Sequence, residues 1–498
     1  MQHTVRPRGA AAGDAVDAVE TATGSGMSRP RPMAGVIVLC AAGIAMSLTQ
    51  TLIVPLVPLL PALLSTSAAN ASWAVTVTMA VGAVATPIAG RLGDMVGKRP
   101  VLLVCVGAVG AGSVVCAVAP SFPVFMAGRA LQGLGVAFVA VGISVMREFV
   151  PPAKLGTAVG MTSSSLAVGG AIGLPVAASL AQSYGWRALF WVAACGAGAC
   201  FAGIRFLIAP SRSRVGGRFD FVGALGLAVV LLTLLLPLSK GLEWGWTNPV
   251  TLSLFGISIV ASAGWLVYER RRRDPLLDLR VAMLRPVLLG NVIGIVNSFA
   301  FYGMELVPIQ MLMAPADGAH GFGASMSTAG LLMAPAGVAA LVSSNVGART
   351  AGALGPRLTL IIAGSLALIA LCAMLIPLVI GWEFPITYLV GISATIGAAT
   401  GISYATLPTL IMAATPPERT GEANGLNALM RIVGLAAAAA VVGMILANSI
   451  TEFAGATRAA PSASGYLWAT ATAATAAVIS TIAAALLPRD RPEARVRG

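Results

Sequence analysis

At 498 residues the chain is 57% hydrophobic and only 10% charged, where a soluble globular protein carries about 25% charge. That balance excludes an ordinary water-soluble domain, and the net charge of +13 belongs on loops that flank a bilayer rather than on nucleic acid. Apolar runs of roughly 20 residues recur along the chain and lack the alternation of a β-barrel strand, so they predict helices that satisfy their own backbone in lipid.

Residues 1–32 mix Arg6, Arg8, Asp14, Asp17, Glu20, Arg29 and Arg31 with Gly, Ala and Pro and contain no apolar core. They read as a disordered cytoplasmic tail rather than a cleaved signal. Spans then follow at about 33–62, 71–90, 100–119, 122–146, 157–182, 187–209, 219–240, 249–269, 286–314, 326–348, 357–380, 385–412, 424–449 and 464–487. With the N-terminus cytoplasmic, 26 of the 31 basic residues fall on the inner side; Arg187, Lys240 and Arg458 are outside, and Arg129 and Arg431 lie within spans. This asymmetry predicts a multi-pass protein of the plasma (inner) membrane with both termini cytoplasmic. Arg270 to Arg273 form the longest basic run; it suits anionic headgroups and equally the plain fixing of topology. The six cysteines all lie in apolar runs and the two histidines are scattered, so neither disulfide nor metal site is expected.

The most specific stretch joins the second and third spans: G-R-L-G-D-M-V-G-K-R, Gly90 to Arg99. It resembles the signature G-x-L-a-D-r-x-G-r-k of the major facilitator superfamily, matching at Gly90, Leu92, Asp94, Gly97, Lys98 and Arg99 and departing at Gly93 and Met95. A worn copy runs from Gly347 to Arg357, where Gly355 and Arg357 correspond to Gly97 and Arg99. Val-Pro-Pro-Ala-Lys-Leu-Gly at 150–156 likewise recurs as Thr-Pro-Pro-Glu-Arg-Thr-Gly at 415–421. The repeats predict an all-α major facilitator fold of about 14 transmembrane helices. Two six-helix bundles, 33–209 and 286–488, flank two inserted helices within 210–285, and a cytoplasmic tail, 489–498, ends the chain. Such repeats put a substrate site between the halves and predict rocking for alternating access.

Ionisable groups inside spans are costly and so are candidates for function. Arg129, in G-R-A-L-Q-G-L-G with Gln132, resembles the family's helix-4 arginine, which sits near the substrate cavity and influences proton transfer; an arginine reaching outward to headgroups is the plainer alternative. Glu305 is the clearest carboxylate within a span, a proton carrier or else an interfacial acid facing a wet vestibule. Arg431, with Asn424 and Asn427, fits the inner gate, and an arginine snorkelling to the headgroups fits nearly as well. The resemblance implies a mechanical role for Asp94: with the protein open outward it faces the N-terminus of span 13 near Asn424 and pairs with Arg147. Gly169, Gly173 and Pro175 resemble the antiporter motif of exporters, with Leu174 inserted and the trailing glycines lost.

In span 1, Leu48 to Pro58 resembles the L-D-Q-T segment of fourteen-helix drug:proton antiporters, with Thr49 where those carry an aspartate. Either Glu305 takes over that duty, or coupling runs through Asp94 and its neighbours, or coupling is weak; the candidates for it are Glu305, Asp94 and Arg129. Thr49, Gln50, Arg129, Gln132, Asn297 and Arg431 are the cavity candidates, and Gly90, Asp94, Gly97, Arg99, Arg147, Gly169, Gly173 and Pro175 the gating ones. The resemblance implies a monomeric, proton-coupled exporter of a small amphipathic organic compound, cationic or neutral, with no cofactor and no enzymatic activity. Two alternatives stay open: export of an endogenous lipid or secondary metabolite, and a membrane sensor that transports nothing.

Overall fold

The computed structural model describes residues 32–53, 56, 60–210, 218–316, 320–451 and 460–488; both tails lie outside them. Among the described residues there are fourteen long helices: α1 Pro32–Thr51, α2 Ala68–Val96, α3 Lys98–Val118, α4 Phe122–Phe149, α5 Pro152–Tyr184, α6 Trp186–Leu207, α7 Phe221–Trp244, α8 Pro249–Arg271, α9 Arg285–Met313, α10 Met326–Leu354, α11 Pro356–Ile380, α12 Ile386–Ala414, α13 Thr420–Asn448 and α14 Ala463–Ala485. Among the described residues thirteen of them are long and apolar enough to cross a membrane, and α5 is the longest at 33 residues. The one described sheet is a pair of two-residue strands before α14.

The first span is shorter than its apolar run. Helix α1 stops at Thr51 rather than at residue 62: Pro55 and Pro58 bring no backbone N–H to continue it, and Leu60–Leu63 forms a short helix of its own. Helix α4 is interrupted by a 3-10 turn, Leu134–Ala137, between glycine-rich segments. Three junctions are single glycines that end one helix and begin the next: Gly97 (φ 104°), Gly185 (φ 79°) and Gly355 (φ 87°). Their positive φ strains any other residue, and Gly97 and Gly355 occupy matching places in the two copies of the turn.

Helices α1 to α6 share a core of Leu39, Leu102, Val106, Phe138, Val141 and Ile204. Helices α9 to α14 share another, with Met304, Met311, Leu371, Met374, Val442 and Tyr466. Between these groups, α2 packs on α13, and α5 on α10 and α12. The α7–α8 hairpin leans on α2 and α13, held by Leu227, Leu231 and Leu235 of α7 against Ala83 and Leu429. Its outer helix α8 buries few side chains and exposes Ile259 and Val260, as a helix bathed in lipid does.

Both seams are built from small residues that let backbones meet. A Cβ on Gly90 would strike the carbonyl oxygen of Gly421, and one on Gly425 would come within 3.0 Å of the Thr86 carbonyl, so α2 and α13 touch main chain to main chain. On the other side a Cβ on Gly160 would lie 3.1 Å from the Ser344 carbonyl of α10. Substituting Gly90 by leucine is therefore expected to wedge α2 from α13. Chemical cross-linking between the two helices should fall at least about tenfold, a loss of about 1.4 kcal/mol, while membrane insertion stays normal.

Candidate functional site

Asp94, in the last turn of α2, is the centre of a charged latch. Its Oδ1 accepts the Gly421 N–H at 3.0 Å and its Oδ2 the Glu422 N–H at 2.8 Å. These donors belong to the first turn of α13, where N–H groups have no partner within the helix and the dipole favours an anion. Lys98 Nζ lies 3.7 Å from Asp94 Oδ1 and 2.8 Å from Glu148 Oε1. Arg91 Nη1 lies 3.5 Å from Glu422 Oε2. The other oxygen of Glu422 accepts the Asp278 N–H from the linker after α8, and Asp278 in turn pairs with Arg419.

Arg147 does not pair with Asp94. It reaches across to α12, donating to the Met412 carbonyl at 2.7 Å and the Thr415 carbonyl at 3.1 Å. Those carbonyls close the C-terminus of a helix, the negative end of its dipole. The reason is positional: Lys98, one turn beyond Asp94, already supplies its cation. The N-terminal group of helices thus presents an anion to one helix start and a cation to one helix end. Asn424 lies near this latch but its Nδ2 is buried without a partner. Arg99 donates to the Arg205 carbonyl on α6, away from the seam.

Gly169 and Gly173 bring α5 onto α1: a Cβ on Gly169 would come 2.6 Å from the Ile44 carbonyl, and one on Gly173 would strike Thr51. Ser47 Oγ donates to the Leu166 carbonyl at 2.6 Å in the same seam. Pro175 falls within the unbroken α5. The cross-group contact of α5 sits instead at Gly156 and Gly160.

Further along the helices from the latch, Arg129 is 1% exposed and spans three helices. Its Nε donates to the Ala74 carbonyl of α2 at 2.9 Å, and its Nη1 to Gln132 Oε1 at 2.5 Å and to the Thr49 carbonyl of α1 at 3.5 Å. Gln132 passes the chain on to Ser113 Oγ at 2.9 Å. Thr49, Gln50, Arg129 and Gln132 line one small cleft with Met46 and Thr78. The Thr49 hydroxyl is spent on the Ala45 carbonyl at 2.8 Å. Among the described residues no carboxylate pairs with Arg129.

The C-terminal helices contribute a second polar cluster. The Arg431 guanidinium lies 3.5 Å over the Tyr404 ring, and the Tyr404 hydroxyl is 3.1 Å from Ser298 Oγ. Asn427 Nδ2 donates to Asn291 Oδ1 at 3.2 Å. Asn297 Nδ2 and Arg431 Nε are buried with no hydrogen-bond partner. Glu305 follows Ser298 and Phe301 at helical spacing, and Phe301 packs against Tyr404, so the three share the stripe of α9 that faces α12. Glu305 is exposed, and no described contact joins it to Arg129.

Glu422, Asp278, Glu148 and Tyr404 were not singled out by their sequence. Glu422 stands in the first turn of a helix, where an acid is ordinary capping chemistry, and that plain reading hides it. Among the described residues no group of three His, Cys, Asp or Glu side chains is placed to hold a metal. What the arrangement provides is a charged contact between the two helix groups and, apart from it, polar groups with spare hydrogen-bonding capacity.

A model of the Major Facilitator Superfamily matches residues 39–439. The chain is 28% identical over 366 residues to the multidrug resistance protein Stp of Mycobacterium tuberculosis, covering 72% of this chain and 65% of that protein. It is 26% identical over 432 residues to the tetracenomycin C resistance and export protein of Streptomyces glaucescens, covering 85% and 78%. The chain thus spans less than two thirds of the length of Stp. Its fold is similar to that of the human organic anion transporter MFSD10, with a TM-score of 0.64 at 16% identity, covering 92% of this chain and 100% of that one.

Proposed function

Because this chain belongs to the major facilitator superfamily, we propose that it is a proton-coupled efflux transporter of the plasma membrane, acting as a monomer with both termini and the latch in the cytoplasm. The observation that carries the reading is the latch. Asp94 and Arg147 hold the two helix groups together only through the ends of α13 and α12. Contacts of this kind break cleanly when the groups rock, which suits alternating access. The excess of basic residues on that face supports its cytoplasmic placement, and the printed names of Stp and the tetracenomycin C exporter support export.

The polar clusters bear on the cargo. Asn297 Nδ2 and Arg431 Nε are both donors without partners, and Arg129 has no acid beside it. Donors left bare call for acceptors, so the favoured cargo is a neutral or anionic aromatic compound rich in carbonyl or phenolic oxygen rather than a cation. The ring of Tyr404 under Arg431 offers a stacking surface. Glu305, on the stripe that faces α12, is the proton carrier in this reading.

The test is proton-gradient-driven uptake into inverted vesicles, across a panel of dyes and aromatic antibiotics, for wild type and Glu305→Gln. Wild type is expected to accumulate substrate and to lose it on adding an uncoupler. Glu305→Gln is expected to lose at least about tenfold of the gradient-driven uptake while still equilibrating substrate down its own gradient. Wild-type uptake indifferent to the uncoupler overturns proton coupling, and unchanged uptake in the variant removes Glu305 from it.

A further inference from the structure

The α7–α8 hairpin is bound into one piece. Asp220 caps α7, accepting the Gly223 N–H at 2.9 Å, and the same Oδ1 accepts the Tyr268 hydroxyl of α8 at 2.9 Å. Trp265 Nε1 of α8 donates to the Gly223 carbonyl at 2.8 Å, and Ser258 Oγ to the Val230 carbonyl at 3.2 Å. The two ends of this piece are held by different helices. At the latch end the ties go to α13. The linker after α8 folds back, with the Leu277 N–H on Glu269 Oε1 at 2.6 Å and with Leu276 and Leu277 buried. The next N–H, of Asp278, donates to Glu422, and the Asp278 carboxylate pairs with Arg419, the residue before α13.

At the far end the tie goes to α2. Lys240, near the end of α7 and 2% exposed, sets its Nζ 4.9 Å over the Trp73 ring. Glu243 Oε2 lies 2.8 Å from that Nζ, and the Trp244 ring stands 6.1 Å from Trp73. Trp73 and Asp94 sit toward opposite ends of α2, about 30 Å apart along the helix. Between the two ends the contacts are apolar. Leu227, Leu231 and Leu235 share a cluster with Ala83 of α2 and Leu429 of α13, and a Cβ on Gly443 of α13 would lie 3.0 Å from Leu242.

Lipid tails replace an apolar neighbour at little cost. They offer nothing to a carboxylate held by an arginine, nor to an ammonium resting on an aromatic face. When the seam between α2 and α13 parts, the apolar contacts yield and the polar ties hold. Arg91 of α2 also meets Glu422, but that pair crosses the seam and is lost with it. We infer that the hairpin is a strut between the two helix groups: its latch end rides with α13, its far end pivots on Trp73 of α2, and opening the seam swings it. The inference rests on the transporter reading only for the use made of that swing; the ties and the ride are tested without transport.

The experiment measures distances between paired nitroxide labels by electron paramagnetic resonance, on the purified full chain in lipid nanodiscs with the exposed Cys195 and Cys372 replaced by serine. Cysteines placed two at a time at the exposed Asn70, Val96, Thr247, Arg273 and Glu418 carry the labels. The seam is forced by Gly90→Leu, since even a Cβ there would strike the Gly421 carbonyl. In that variant position 273 is expected to keep its distance from 418 and to draw away from 96 by about 2 Å or more, with the 70–247 distance unchanged. Arg419→Gln is expected to broaden the 273–418 distances alone, and Trp73→Leu the 70–247 distances alone. Position 273 leaving 418 and staying with 96 under the wedge overturns the proposal, as does a wedge that moves neither distance or that lengthens 70–247. Either tie variant leaving its own pair unbroadened also overturns it.

Discussion

Replacing Asp94 by alanine is expected to unlatch the α2–α13 seam and to reduce transport by roughly a hundredfold. The carboxylate accepts two N–H groups from the first turn of α13, and hydrogen bonds to a charged partner contribute about 1.5–3 kcal/mol each. Losing both shifts the balance between closed and open latch by about 3 kcal/mol, close to that factor. Lys98 is not stranded by the change, because Glu148 holds it at 2.8 Å, so the effect reports the cross-group contact. The check is the alkylation rate of a cysteine placed at the buried Asn424, in a chain whose exposed Cys195 and Cys372 are serine. Faster alkylation in the Asp94→Ala background is the expected result; equal rates would show that the latch stays closed without its acid. Asp94→Asn should fall between, keeping one acceptor oxygen but turning an amide donor toward a helix start that needs none.

Arg129 carries the second large effect. Leucine in its place leaves the Thr49 carbonyl and Gln132 Oε1 without this donor in a buried site, while the Ala74 carbonyl loses the guanidinium and keeps the Thr78 hydroxyl. Each bare acceptor costs about 1–3 kcal/mol, so the loss is expected to reach several kcal/mol and to lower the unfolding midpoint by several degrees. Lysine keeps the charge but carries one point-like head, and it cannot hold α1, α2 and Gln132 together as the guanidinium does. Arg129→Lys is therefore expected to recover most of the stability while transport remains at least about tenfold down. A lysine variant with full transport would mean that positive charge alone, and not the three-way bridge, is what the site requires.

Most of the helices are legible in the chain because lipid imposes one rule on every span, and a long apolar run obeys it visibly. The exception is instructive: the run after Leu52 is as apolar as its neighbours, yet its prolines end α1 at Thr51. The turn around Asp94 is legible as a motif, and its place at the start of α13 follows from helix-dipole chemistry. Its other partners are not. Glu422, Asp278 and Arg147 meet groups 144 to 331 residues away, and each looks alone like loop charge. Asp220 and Glu269 are hidden the same way, one as a helix cap and the other as the acid before an arginine run. Charge near a span end fixes topology and also makes contacts; only the fold separates the two.

At their closest points the seams described above meet through small residues, Gly90, Gly421 and Gly425 on one side and Gly156 and Gly160 on the other, which bring main chain near main chain. Surfaces of that kind resemble polished bearings: turning one against the other strips away few van der Waals neighbours at once. Most of the resistance to rocking is then concentrated at the charged ends. A protein so arranged can tune how often it switches by altering a few titratable side chains, while its lipid-facing bulk goes unchanged.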